Sequence, residues 1–493
     1  MASDKVYQYL TAFLAGEMRK GYPKFDAGLG YGARDDKLNK GKVAHLSELI
    51  EKSVLGKRVA FVDADGGAYA YNGEYYESVG KGISFFSELV KRTLTALKVG
   101  KVYRMFASRM IADSCMSGLM NSEEYQYKPD RRYITFTNGV FDVEKGKLKA
   151  FDTRYVTDIA LDIEYTDQKT LDKECADKFG ISREENPCKL WEWKIEEIIP
   201  NKDMREAFQM FCGTLLIKRE ELKIEYLCYL VGSGSNGKSV AASAIAGVFG
   251  ERYFGRFTPW QLFKASDAAF NMAALQGKIG NFMDDLEAKD FSGGDMKRFI
   301  SGEKFQARRL YKDPILVQAP IMLCCTNAMP ETSDDSWGHH RRQLPIYTTK
   351  KQWTEADKDP YLTLKLTTPE ARQRIFLWIY EGYKKIMRNK GNIVLGDDVI
   401  KAQRRLQARS NSVRRWWDDC RYAAPKEESE GEWLPLSTLE QDYKQYCDEH
   451  TDPMMKGRVV SPLLRSVGVK EKKLSNGLHF LVGRKKIENE DND

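Results

Sequence analysis

Residues 224–248 read I-E-Y-L-C-Y-L-V-G-S-G-S-N-G-K-S-V-A-A-S-A-I-A-G-V, and this stretch decides the fold. Ile224 to Val231 is a short apolar run, predicted to be a buried strand. Val240 to Val248 is built of small residues and is predicted to be a helix. Between them Gly232, Ser233, Gly234, Ser235, Asn236, Gly237, Lys238 and Ser239 spell G-x-x-x-x-G-K-S. Strand, glycine loop and helix form the context in which such a loop cradles phosphate. Glycines let successive backbone N–H groups turn inward, and the helix N-terminus adds its positive dipole end. Lys238 supplies a point charge for the β- and γ-phosphates of ATP, and Ser239 a hydroxyl ligand for Mg²⁺; the loop through Val240 is the expected nucleotide site.

Further along, 278–283 (K-I-G-N-F-M) is predicted to be a strand leading into Asp284-Asp285-Leu286-Glu287. One carboxylate there would hold Mg²⁺, and the next would orient or deprotonate the attacking water. By itself the same pattern reads equally as a solvated turn. A third strand, 320–325 (P-I-M-L-C-C), ends in Thr326-Asn327, where an amide could hydrogen-bond both the γ-phosphate and the lytic water. Arg341 and Arg342 follow His339-His340. They are candidates for an arginine finger acting on a neighbouring subunit, although an isolated Arg pair is more often a surface feature. Two adjacent histidines without further ligands read as surface imidazoles rather than a metal site.

Residues 297–312 hold Lys297, Arg298, Lys304, Arg308, Arg309 and Lys312 against one acid, Glu303, with Phe305 and Tyr311 interleaved. Cations neutralise nucleic-acid phosphates and aromatic rings offer stacking, while the alternative is a solvated charged face.

The chain has 493 residues, 42% hydrophobic and 30% charged, with a formal charge of +7. This composition suits several globular domains and permits a nucleic-acid partner without requiring one. Nine cysteines are scattered without a C-x-x-C, as expected of reduced thiols in a cytoplasm. No apolar run is long enough for a signal peptide core or a membrane span, so no membrane partner is expected. Asp63-x-Asp65 beside Gly66-Gly67 reads as a turn rather than a metal pair.

Five regions are expected. Residues 1–190 form a mixed α+β domain, with hairpins around Gly66-Gly67, Asn72-Gly73, Asn138-Gly139 and Lys145-Gly146. Residues 191–222 form a helical collar, and 223–350 an α/β core with a parallel sheet. Residues 351–425 extend it with helices. Residues 430–493 suggest two helices and a β-hairpin, a winged-helix-like arrangement or a docking domain.

The blocks at 232–240, 270–286, 296–314 (M-K-R-F-I-S-G-E-K-F-Q-A-R-R-L-Y-K-D-P) and 324–330 (C-C-T-N-A-M-P), in this order, resemble the superfamily III helicases, in particular the poxvirus- and phage-type primase-helicase branch. The stretch 134–148 also looks like the N-terminal domain of that branch. The resemblance covers about 130–450. It implies an AAA+ ATPase core working as a ring, usually a hexamer, on single-stranded and forked DNA, with a primase or polymerase as a further partner. An initiator that uses ATP only for assembly is the alternative. The resemblance also implies that Lys238 and Ser239 bind phosphate and Mg²⁺, that Asp284 and Asp285 are the acidic pair, that Asn327 is the sensor, and that Arg341 or Arg342 is the finger. Relatives often carry Glu in the acidic pair. Here both are Asp, which leaves Glu287 as a third candidate base.

Overall fold

The structure, a computed structural model, describes residues 4–21, 48, 50, 52–54, 57–63, 66–97, 101–283, 294–311, 313–329, 337–354, 359–410, 412–420, 422–425, 427–449, 460–475 and 477–484. Asp284, Asp285, Glu287 and Lys312 lie outside the described residues.

At the N-terminus α1 (Asp4–Gly21), an antiparallel sheet of β1 (Ala60–Val62), β2 (Gly67–Tyr71) and β3 (Tyr76–Lys81), then α2 (Gly82–Ala96) and α3 (Lys101–Met120) enclose their own core around Phe61, Phe85 and Phe86. The expected turns are present. Asn72 Oδ1 accepts from the N–H groups of Glu74 and Tyr75, both at 3.0 Å. Asp63 Oδ1 accepts from Gly67 N at 2.8 Å, so this carboxylate closes a turn.

A second antiparallel sheet follows, β4 (Tyr133–Phe136), β5 (Gly139–Asp142) and β6 (Lys147–Lys149). After it come α4 (Gln168–Phe179), α5 (Pro187–Ile198) and α6 (Lys202–Gly213). The cores divide the chain differently from the expected boundary near residue 190. Phe136 and Phe141 of the small sheet meet Phe376 edge to face, at 4.9 and 5.7 Å. Residues 134–163 therefore share one core with the segment carrying the glycine loop. Aromatic burial across a long sequence separation decides this, and local pattern cannot show it.

The centre is a five-stranded sheet in the order β13-β7-β12-β9-β8, parallel throughout. Its strands are β7 (Leu227–Val231), β8 (Phe254–Gly255), β9 (Gly280–Met283), β12 (Ile321–Thr326) and β13 (Gln343–Tyr347). Between them lie α7 (Lys238–Phe249), α8 (Gly294–Ile300) and an antiparallel hairpin of β10 (Lys304–Ala307) and β11 (Ile315–Gln318). Every residue of β7 and β12 is buried, as in a parallel sheet covered on both faces. Alternation assigns the faces. Cys228, Leu230, Leu323 and Cys325 join α6, α7 and α9 (Pro369–Arg388). Leu227, Tyr229, Val231, Met322 and Cys324 join Phe299 of α8 and Phe305 of the hairpin.

After α10 (Asp397–Ser410) and α11 (Ser412–Asp419), the last unit contains β14 (Tyr422–Ala423), β15 (Glu432–Pro435), α12 (Leu436–Glu449), α13 (Val460–Ser466), β16 (Glu471–Leu474) and β17 (Gly477–Arg484). It has its own core around Trp416, Tyr443 and Phe480. No described helix is long and apolar enough to cross a membrane.

Candidate functional site

Gly232 to Gly237 bridge the carboxyl end of β7 and the first turn of α7. Gly234, Ser235 and Gly237 have φ of +74°, +45° and +85°, the left-handed values that fold backbone N–H groups into a concave nest. A Cβ on Gly237 would lie 2.6–2.7 Å from Ile198 and Trp353 side-chain atoms, and one on Gly232 would lie 2.0 Å from Thr348 Oγ1. These two glycines are required by close packing beneath the loop as well as by its turn.

Three polar side chains converge above this nest. Lys238 Nζ donates to Gly232 O at 2.5 Å, to Asn236 Oδ1 at 3.1 Å and to Asn327 Oδ1 at 3.4 Å. Asn327 follows β12, the strand next to β7, so the expected sensor amide stands over the loop. Ser239 is exposed at the start of α7. Met283 ends β9 opposite Cys324, two residues before the end of β12. β9 thus ends at the same edge of the sheet as β12.

Residues that the sequence reading did not single out brace the loop. Asn236 Nδ2 donates to Thr348 Oγ1 at 2.8 Å and to Thr349 O at 3.3 Å. Thr348 Oγ1 in turn donates to Val231 O at 3.0 Å. Trp353 N donates to Ser235 O at 2.7 Å, and its indole N–H donates to Glu197 Oε1 at 3.0 Å. Thr348 and Trp353 belong to no recognisable motif. Only the packing of residues 348–353 across the loop reveals them.

Arg341 and Arg342 lie elsewhere. They precede β13, whose Gln343 pairs with Leu227 at the amino end of β7. A five-residue strand, roughly 16 Å at about 3.3 Å per residue, separates them from the loop of their own chain. Both donate to Glu225, Arg341 Nη2 at 2.8 Å and Arg342 Nη2 at 3.2 Å. The Arg341 side chain is 42% exposed and that of Arg342 15%, so only Arg341 faces outward. Partial burial would raise the Glu225 carboxyl. Hydrogen bonds from Ser301, Arg341 and Lys223, with the charge of Arg342, outweigh it and hold the group down at about 2. His339 and His340 are buried, at 4% and 2% exposure, which corrects the reading as surface imidazoles. The short helix 337–340 packs them against α10.

The basic segment divides between a helix and a hairpin. Lys297 is on α8. Lys304, Arg308 and Arg309 are on β10 or in the turn after it, where Arg308 is exposed. Lys304 forms an ion pair with Glu220 at 2.7 Å. Tyr311 is fully exposed at the tip with φ +56°, and Leu310 is 70% exposed. Phe305 corrects the expectation that it offers a stacking surface. The two-residue alternation of β10 turns it inward, where it packs on Phe263 and Phe299. In the last unit Arg465 pairs with Glu471 at 2.9 Å, and Lys472 Nζ lies 3.9 Å from the centre of the Trp433 ring, so both cations are engaged within the unit.

Residues 47–216 match the family described as "D5 N terminal like", and residues 230–342 match the "Family of unknown function (DUF5906)". A curated relative, "Putative helicase L207/L206" of Acanthamoeba polyphaga mimivirus, is 28% identical over 249 residues. The match covers 49% of this chain and 24% of that protein, so the chain spans about a quarter of its relative's length. Among solved structures, the A form apo structure of the NrS-1 C terminal region aligns with 88% of this chain and 98% of its own, at 10% identity and a TM-score of 0.41. A second apo structure of that region gives a TM-score of 0.39 at 8% identity, with the same coverage. The chain therefore matches the D5 N terminal like model ahead of the DUF5906 model, and about half of it, 49%, is similar to a viral protein that bears the name "Putative helicase".

Proposed function

We propose that this chain is an ATP-dependent DNA helicase of the superfamily III type, a ring-forming AAA+ motor that moves on single-stranded DNA during replication of a virus, phage or mobile element. The observation that carries this reading is the sheet order. From β7 the chain crosses to β8 at one edge, returns through β9 and β12, and ends with β13 on the other side of β7. The loop after β7 thus lies at the switch point of an open parallel sheet, where ligands bind beyond the carboxyl ends of strands.

The residues present fit a nucleotide triphosphate. Among the described residues Lys238 donates to three neutral oxygens, for which phosphate oxygens are stronger replacements. The backbone N–H groups from Ser233 to Val240 would hold the phosphates, and Asn327 would orient the attacking water. Ser239 and Asp284 would hold Mg²⁺, with Asp284, Asp285 or Glu287 as base. Mg²⁺, when bound there, would supply positive charge against the charge developing on the phosphates. Arg341 cannot reach this loop in its own chain, which supports a finger acting on the neighbouring subunit, with Arg342 as its anchored partner. Lys297, Lys304, Arg308, Arg309 and Lys312 would line the DNA channel, with Tyr311 at the hairpin tip. A hexamer in a host cytoplasm, working with a primase or polymerase, completes the reading.

The separate C-terminal core, two helices followed by the β16–β17 hairpin, favours a second reading: a winged-helix-like duplex binder in an initiator without processive unwinding. ATP hydrolysis with and without single-stranded DNA, particle mass, and strand displacement on forked DNA decide between them. The helicase reading expects stimulation, a ring-sized mass and displacement. Stimulation without displacement selects the initiator, and no hydrolysis rejects both.

A further inference from the structure

Glu225 stands just before β7, at the sheet edge away from the glycine loop, and its carboxylate gathers donors from three parts of the chain. Arg341 and Arg342 reach it from the segment before β13, at 2.8 and 3.2 Å. Ser301 Oγ donates at 2.8 Å from the turn that joins α8 to the β10–β11 hairpin. Lys223 Nζ lies 3.2 Å away on its own segment. Beside it, the half-buried Arg219 ties both legs of the hairpin to the same place. It donates to Pro320 O, after β11, at 2.7 Å, to Ile224 O at 3.1 Å, and to Ile300 O, before β10. One carboxylate and one guanidinium therefore join the arginine pair to the base of the basic hairpin.

Resting on the reading of Arg341 as a finger for the next subunit, we propose that Glu225 is a positioning residue that couples the nucleotide state at the subunit boundary to the DNA-facing hairpin. An ionised carboxylate offers about four acceptor positions, and here Ser301 shares them with three cations. Movement of Arg341 toward an adjacent phosphate removes one cation from Glu225. The carboxylate must then be compensated by its remaining partners, because an under-paired charge at low exposure is costly. Ser301 is the partner that carries this change to the hairpin. Arg341 has room to move: it borders a cavity of about 220 Å³, lined also by Lys223, Tyr226, Asn392 and Ile393. Arg342 is held by Gly338 O at 2.5 Å and stays behind.

The coupling is measurable as thermodynamic linkage. Affinity of the full chain for a fluorescein-labelled oligothymidine is measured with ADP and with ATPγS. Wild type is expected to show a ratio of about fivefold or more between the two states. Glu225→Gln keeps the shape but removes the charge, and Ser301→Ala cuts only the hairpin side of the link. Both are expected to bring the ratio within about twofold while particle mass stays near wild type, and the melting temperature of Ser301→Ala is expected to stay near it as well. Should Glu225→Gln fail to fold, Ser301→Ala decides. A wild-type ratio retained in Ser301→Ala, or a ratio of one in a wild type whose ATPase is DNA-stimulated, overturns the coupling and leaves the motor reading standing. A wild type that neither hydrolyses ATP nor binds the oligonucleotide overturns both.

Discussion

Lys238 donates to Asn327 across 3.4 Å, joining the loop after β7 to the tip of β12. The contact sets the ammonium and the amide at one point above the nest. Their roles differ, so their substitutions are expected to separate. Under the proposed function Lys238→Ala removes the charge that would meet phosphate, and it is expected to weaken ATP binding and abolish hydrolysis. Asn327→Ala keeps the loop residues and removes the amide that, under the proposed function, would orient the attacking water. It is expected to lower kcat on the order of 10²-fold while ATP affinity changes less than about threefold. Equilibrium binding of a fluorescent ATP analogue, beside steady-state turnover, gives both values. Equal losses of affinity in the two variants would remove Asn327 from the catalytic step.

Arg341 and Arg342 differ in exposure, and this ranks them. Arg341→Ala is expected to abolish hydrolysis by the assembled particle without changing ATP affinity. Mixing an Arg341/Arg342 double variant with Lys238→Ala tests whether the site is shared. Mixed rings contain boundaries where an intact loop faces an intact arginine, so activity above either variant alone is expected. If the two variants co-assemble and no activity returns, the trans site is excluded.

Much of this was legible in the sequence, for identifiable reasons. The loop announces itself because its glycines, lysine and serine occupy contiguous positions between two elements of clear pattern. The position of Asn327 beside the loop is legible because a strand tip next to β7 is a defined place. The brace formed by Thr348 and Trp353 was not legible, since it depends on a segment more than a hundred residues away lying across the loop. Phe305 is ambiguous in the sequence because an aromatic among cations suits both stacking and a core, and only the register of β10 chooses. Glu225 carries a signal of its own in the sequence. It is a carboxylate in an otherwise apolar run, and such a charge needs a partner.

The hairpin tip supplies the next prediction. Tyr311 is exposed and Phe305 buried, so their alanine variants are expected to fail in different ways. Stacking on one base contributes about 1–3 kcal/mol, so Tyr311→Ala is expected to weaken single-stranded DNA binding roughly 5- to 150-fold. Its basal ATPase and melting temperature should be unchanged. Phe305→Ala is expected to cost about 3–5 kcal/mol of stability through the cavity left beside Phe263 and Phe299. Arg308→Ala should flatten the salt dependence of DNA binding, whereas Lys304→Ala should do less because Glu220 already holds its ammonium. Anisotropy titrations across a salt series, with thermal melts, separate these outcomes. A Tyr311→Ala variant that binds DNA as wild type does would remove the tip from the interface.

The brace beneath the loop predicts a selective loss at Thr348. Thr348→Val keeps the shape but removes the hydroxyl that accepts from Asn236 and donates to Val231. It strands a buried amide donor, at a cost of about 1–3 kcal/mol. Asn236 also accepts from Lys238, so a loosened amide misplaces the ammonium. Lower melting temperature and a raised KM for ATP are expected together. A lower melting temperature with KM unchanged would make Thr348 part of the scaffold alone.

Glu225 yields a prediction about acid. The groups facing it are Arg341, Arg342, Lys223 and Arg219, all cationic, together with the Ser301 hydroxyl. Its carboxyl lies at about 2, below the ordinary value of 4.5, so folding favours the ionised form. That contribution to stability is complete above pH 4.5 and is lost as pH falls toward 2. Across the neutral range the contact is therefore constant, and nucleotide-dependent DNA affinity should not change through Glu225 between about pH 6 and 8. Glu225→Gln mimics the protonated state at every pH. Its melting temperature should fall below wild type at neutral pH, and the gap should close as acid protonates Glu225 in wild type. Melts of both chains across an acid series measure this convergence. A gap that stays constant down to acid unfolding would show that the carboxylate charge at Glu225 contributes nothing to holding the arginine pair.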